Sequence, residues 1–154
     1  MVDSGIGLCW HIGFIIVKKM KHWSTLQSAL YRVIEPKIGF QIHCCTYDIG
    51  QCIPLPRFWV TIGKQIIWDF PKNFTDDEDW YFYDEAKRLS RLIKEYVDCP
   101  VNELLTHKFD DRFKLVPILH VCDRRIGKRR LEQLLHNDEY STLSWLIEKR
   151  LNTV

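Results

Sequence analysis

Phe58-Trp59-Val60-Thr61-Ile62-Gly63-Lys64-Gln65-Ile66-Ile67-Trp68-Asp69-Phe70 is the stretch whose reading decides the fold class. Both halves are rich in the β-branched and aromatic residues that pack well on a pleated surface, and Gly63-Lys64 sits where a tight turn needs backbone freedom. The pattern predicts an antiparallel hairpin. Upstream, Lys37 to Tyr47 alternates imperfectly through Ile38, Phe40, Ile42 and Cys44 and reads as a half-buried strand. Gly50, Pro54 and Pro56 mark the intervening loop, and Pro71 stops the sheet.

The period changes on either side of this sheet. Leu26, Leu30, Val33 and Ile34 recur at helical spacing after Trp23, up to Pro36. Asp76-Asp77-Glu78-Asp79 opens the longest helical pattern, its acids matching the positive end of a helix dipole, and Phe82, Ala86, Leu89, Ile93 and Tyr96 form one apolar stripe up to Pro100. Val101 to His107 reads as a short helix. Phe113 to Asp123 is ambiguous, because its apolar content suits a buried strand while Pro117 would remove a ladder bond from one. Read as a helix from about Lys114 to Val116, it aligns Leu115, Leu119, Cys122 and Ile126, and Gly127 then weakens or kinks it before Arg129 to Leu135. A last helix, Tyr140 to Leu151, buries Leu143, Leu146, Ile147 and Leu151. The expected fold is α+β: a small antiparallel sheet with an N-terminal helix and a helical C-terminal half.

Composition narrows the class further. The chain has 154 residues, 46% apolar and 27% charged, which excludes disordered and collagen-like classes, and residues 20–154 fit one domain. Its 22 Lys plus Arg against 20 Asp plus Glu leave a net charge of +2, so electrostatic function must come from local clustering. Residues 1–19 are read as a leader or as lying before a natural start at Met20. The apolar run Ile6 to Val17 has its cations behind it, unlike a signal peptide, and is too short to span a membrane. No membrane association is expected. Six cysteines, at Cys9, Cys44, Cys45, Cys52, Cys99 and Cys122, lack the spacings of zinc or redox sites; reduced thiols, no metal and no cofactor are the expectation.

The chemistry concentrates in Asp123 to Leu131. Arg124, Arg125, Lys128, Arg129 and Arg130 put five cations within seven residues. On one helix Arg124 and Lys128, and Arg125 and Arg129, would repel at four-residue spacing unless an anion neutralised them. Candidate anions are the acids of Asp76 to Glu85, in this chain or across a homodimer, then a partner protein, then a phosphate or nucleic-acid backbone. Pairing across the fold is favoured, since one domain brings its helices together. Nucleic acid is less favoured because the total charge is nearly balanced and no reader motif is present. Asp123 and Gly127 are read as structural: Asp123 pairs an arginine, and Gly127 bends the segment or admits another backbone, separating Arg124 and Arg125 from Arg129 and Arg130. The hairpin aromatics Phe58, Trp59, Trp68 and Phe70 more often pack a core than stack on bases. Catalytic motifs are absent, and a His120 and Cys122 nucleophilic pair is weaker than a satisfied core histidine.

Asp123-Arg124-Arg125-Ile126-Gly127-Lys128-Arg129-Arg130-Leu131 resembles the DRRxGKRRL motif of a family of small uncharacterised bacterial proteins. Trp23-Ser24-Thr25-Leu26, Trp59-Val60-Thr61-Ile62 with Lys64 and Ile66, and Leu151 accompany it in order, from about Met20 to Leu151. The resemblance implies a bacterial cytoplasmic setting and an α+β arrangement, and no mechanism. The function expected is that of a non-enzymatic interaction or regulatory protein, with nucleic-acid or phosphate binding through 124–130 as the alternative.

Overall fold

The computed structural model describes residues 23–48, 54–70 and 82–154. Residues 23–33 form helix α1, and three strands follow: β1 (Phe40–Asp48), β2 (Pro54–Ile62) and β3 (Gln65–Phe70). The helical half comprises α2 (Phe82–Asp98), α3 (Val116–Cys122), α4 (Lys128–Leu135) and α5 (Ser144–Leu151). The fold is α+β.

The strands form one antiparallel meander in the order β1-β2-β3, with Ile42 opposite Val60, Phe58 opposite Phe70, and a bulge between Val60 and Thr61. Gly63 takes the hairpin turn at φ 59. Gly39 enters β1 at φ 75, and a Cβ there would stand 3.2 Å from the Gly63 nitrogen, which donates to the Gly39 carbonyl at 2.9 Å. Both left-handed backbone and close approach therefore require glycine at position 39. Period-two alternation puts Phe40, Ile42, Phe58, Val60, Trp68 and Phe70 into a common core with Leu30 and Ile34 of α1 and Leu89, Ile93 and Tyr96 of α2. The free edge of β1 is sealed at Ile42: Gln27 Nε2 donates to its carbonyl at 2.7 Å, and its N–H donates to the Tyr31 hydroxyl at 3.1 Å. Trp68 Nε1 donates to the Phe113 carbonyl at 2.8 Å and ties the sheet to the helical half.

Several boundaries differ from the sequence reading. The strand begins at Phe40, not Lys37, because Pro36 starts a 3-10 turn over Pro36–Ile38 that Gly39 terminates. The stretch 101–107 is a succession of turns rather than a helix; its one bond of helical span is His107 N–H to the Glu103 carbonyl. Phe113 to Asp123 resolves as helix over Val116–Cys122, with Pro117 in the first turn, where it costs no hydrogen bond. Asp123 then leaves helical geometry, so the segment from 114 to 135 is two helices joined by a turn. The last helix is split: a 3-10 segment over Asp138–Leu143, capped by the Asn137 side chain, precedes α5. The expectations for residues 1–19, the start at Met20 and the opening acids Asp76 to Asp79 lie outside the described residues.

Candidate functional site

The turn between α3 and α4 is where the helical half meets α1. Asp123 adopts extended geometry (φ −75, ψ 120) and forms a single antiparallel bridge with Ile34. Glu35 N–H donates to the Cys122 carbonyl and Arg124 N–H to the Val33 carbonyl, each at 2.8 Å. This places the Asp123 carboxylate in the interior at 0% exposure. A carboxylate there must be fully hydrogen-bonded to persist. Arg125 supplies its backbone N–H at 2.8 Å, Nε at 3.0 Å to both oxygens and Nη2 at 2.7 Å, and the Tyr96 hydroxyl donates at 2.8 Å.

Arg125 also closes α2. Its Nη1 reaches the carbonyls of Cys99 at 3.2 Å and Val97 at 3.4 Å, and Nη2 lies 3.5 Å from that of Tyr96. The last carbonyls of a helix have no partner within it and carry the negative end of its dipole. No basic residue stands in the last turn of α2, so Arg125 brings the cation from a distant part of the chain. Burial first, then the Asp123 carboxylate, push the Tyr96 hydroxyl well above the usual tyrosine range, so it stays a donor.

The other cations of the motif have a different setting. Arg124, Lys128 and Arg129 are exposed, and the half-buried Arg130 donates from Nη1 to the Val101 carbonyl at 3.2 Å. Among the described residues, no carboxylate stands within ion-pair distance of any of these four. Lys128, Arg129 and Arg130 form the first turn of α4, which has neither an acid nor a side-chain cap. Cations there oppose the helix dipole, so positive potential accumulates uncompensated.

This geometry corrects the one-helix reading of the motif. Arg124 and Arg125 lie in a turn, so they do not stack four residues from Lys128 and Arg129. Gly127 is the N-cap of α4 at φ −80 and ψ 170, where any residue fits, and a Cβ on it would meet nothing within 4 Å. It admits no neighbouring backbone. The division between buried and exposed cations falls between Arg124 and Arg125. The side chains of Asp76 to Glu85, expected to neutralise the motif, lie outside the described residues.

His120 and Cys122 do not form a nucleophilic pair. Both imidazole nitrogens are engaged, Nδ1 by the Tyr140 hydroxyl at 2.7 Å and Nε2 by the Leu104 carbonyl at 2.9 Å, and burial raises the Cys122 thiol far above its usual range. In the sheet, Phe58, Trp68 and Phe70 are core residues. Trp59 is half-buried on the opposite face, stacked on His43 with ring centres 4.9 Å apart and with the Arg57 guanidinium 4.6 Å from its centre. Arg57 in turn grips Asp69 at 3.0 and 2.6 Å. Cys44 packs against the core while Cys45 stands opposite Arg57, and burial pushes the Cys44 thiol up to about 12. Among the described residues no three metal-ligating side chains cluster, and no helix is long and apolar enough to cross a membrane.

Sequence reasoning missed Tyr96 as the second ligand of Asp123, because its place on the α2 apolar stripe marked it as core. It also missed Lys114 and Asp111, which set the start of α3.

Residues 82–151 match the SF0329 protein family. The matched stretch holds Tyr96, Asp123 and the whole basic motif, and does not reach the Trp23 and Trp59 segments included in the wider resemblance. No curated protein and no solved structure matches the chain.

Proposed function

We propose that this chain is a non-enzymatic interaction protein of the bacterial cytoplasm, the setting that the family resemblance implies. It docks an acidic partner protein through Arg124, Lys128 and Arg129, with Arg130 at the margin. The observation that carries this reading is the contrast within the motif: Arg125 is consumed by the Asp123 junction, while the four other cations, on the adjoining turn and the first turn of α4, have no carboxylate partner among the described residues. A rigid mount lowers the entropy lost when guanidinium groups are ordered on a partner. The catalytic alternatives are weakened by the engagement of both nitrogens of His120 and the raised thiol of Cys122.

The decisive experiment is capture from nuclease-treated bacterial lysate by wild type and by an Arg124→Ala, Lys128→Ala, Arg129→Ala triple variant, followed by titration with the purified partner. Retention of an acidic protein by wild type alone supports the reading, and equal retention by both rejects it. The second reading, phosphate or nucleic-acid binding, is favoured by the uncapped first turn of α4, whose N–H groups face the same side as its positive dipole end. A steep linear fall of log affinity with log salt on an oligonucleotide, together with loss of capture after nuclease treatment, would select it.

A further inference from the structure

A cavity of about 460 Å³ lies between the 105–109 turn, the start of α3 and Glu139-Tyr140. Its volume falls within the range of roughly 300–1,000 Å³ typical of small-molecule sites. Of the four buried residues that line it, Tyr140 and His120 carry polar groups, and their hydrogen bonds have only one consistent direction. The Leu104 carbonyl can only accept, so His120 Nε2 carries the proton in that 2.9 Å contact. Nδ1 is then the acceptor, and the Tyr140 hydroxyl 2.7 Å away donates to it. Tyr140 Oη has spent its proton and offers the cavity lone pairs alone. Burial lowers His120 to about 4 and raises Tyr140 to about 12, so this polarity holds near neutral pH and neither group moves a proton there. These residues suit binding rather than acid-base catalysis.

Around them stand charges of both signs. Lys108, Lys114 and Glu139, all exposed, line the cavity together with the half-buried Asp111, and among the described residues none of the four has an ion-pair partner within 4.0 Å. Lys114 and Glu139 act on the Asp111 carboxylate with opposite sign, the lysine favouring its charge and the glutamate opposing it. Lys114 is also the one non-glycine residue in left-handed geometry, at φ 59, among the described residues. An L side chain costs about 1–2 kcal/mol there, which glycine would avoid. The conformation is held by Asp111, whose oxygens accept the N–H groups of Leu115 at 2.9 Å and Val116 at 2.8 Å. Lys114 therefore stands beside the cavity at a cost in backbone energy.

We propose that this cavity binds a small zwitterion of the α-amino acid class. Its carboxylate would meet Lys108 and Lys114, its ammonium Glu139 and the Tyr140 Oη lone pairs, and its apolar side chain Phe109 and Pro117. The site is separate from the basic motif, so either can fail alone.

Calorimetric titration of the full chain with each proteinogenic L-amino acid, and with sodium acetate, methylammonium and inorganic phosphate, tests it. The expected result is saturable one-to-one binding of at least one amino acid and none of the three fragments. Glu139→Gln and Lys114→Gly should each weaken it by about tenfold, one charge-assisted contact, with Lys114→Gly melting no lower than wild type. Arg129→Ala should bind as wild type. Absence of binding by every amino acid overturns the proposal, as does acetate or phosphate binding as tightly as the best amino acid. So does affinity unchanged in both cavity variants, or affinity abolished by Arg129→Ala.

Discussion

Arg125 has 17% of its side chain exposed and directs Nε and both Nη groups onto Asp123 and the end of α2, whereas Arg124, one residue earlier, is exposed and, among the described residues, bonds to the fold through its backbone N–H to the Val33 carbonyl. The two share charge, residue type and motif. What separates them is solvent. A buried guanidinium survives only where acceptors already stand in place, and once placed it cannot be removed cheaply, because its buried partner is then left uncompensated. An exposed guanidinium needs no partner and is free to meet one.

The largest effect expected from this contrast is at the junction. Asp123→Ala strands the Arg125 guanidinium and the Tyr96 hydroxyl together and should cost about 3–5 kcal/mol of unfolding free energy, with Arg125→Ala near the lower end of that span. Urea denaturation measures both, and a loss below about 1 kcal/mol for either would erase the distinction between the two arginines.

Next in size is a pH effect on the same side of the molecule. Burial lowers the folded-state value of His120 to about 4 from an unfolded value near 6.5, so between those limits the unfolded chain binds a proton that the folded chain refuses. Stability should be full above about pH 6.5 and fall on acidification toward pH 4, by up to about 1.4 kcal/mol per pH unit from this group. Urea midpoints at pH 7 and pH 5 read the slope, and a His120→Gln variant should flatten it.

Tyr96→Phe sharpens the account of the carboxylate. It removes one of the donors while Arg125 remains, and about 1–2 kcal/mol should be lost, clearly less than in Asp123→Ala. The smallest stability change belongs to the exposed cations: Arg124→Ala and Arg129→Ala should each stay within about 0.5 kcal/mol of wild type in thermal unfolding. Their effect should appear instead as weaker partner capture that declines further with added salt. A melting temperature that falls as far in Arg129→Ala as in Arg125→Ala would show that the motif is not divided.

Much of the architecture is legible because it rests on local periodicity. The hairpin at Gly63-Lys64, the third strand and the α2 stripe from Leu89 to Tyr96 follow from alternation, from three- and four-residue spacing and from turn chemistry. The segment from Phe113 to Gly127 carries no such period. Seven residues of helix, a single bridging residue and an N-cap glycine follow one another there too quickly for any period to develop, and Pro117 is compatible with helix only once the first turn is known to begin at Val116. The four-residue spacing of Arg124 and Lys128 implies a shared helix face for the same reason: the break at Asp123 comes from its bridge to Ile34, which lies far away in the chain.

Local pattern alone is enough to establish an α+β chain with an antiparallel sheet, a helical second half and an unusual concentration of cations between Arg124 and Arg130. Which of those cations is structural, that Tyr96 joins Asp123, and that a strained Lys114 borders a cavity beside Tyr140 and His120 all depend on long-range packing. The physical reason is that strand and helix periods arise from backbone geometry within a few residues, whereas desolvation depends on what the exits of α1, α2 and α3 bring together. Adjacent arginines carry the same charge wherever they occur, and the fold alone removes one of them from water.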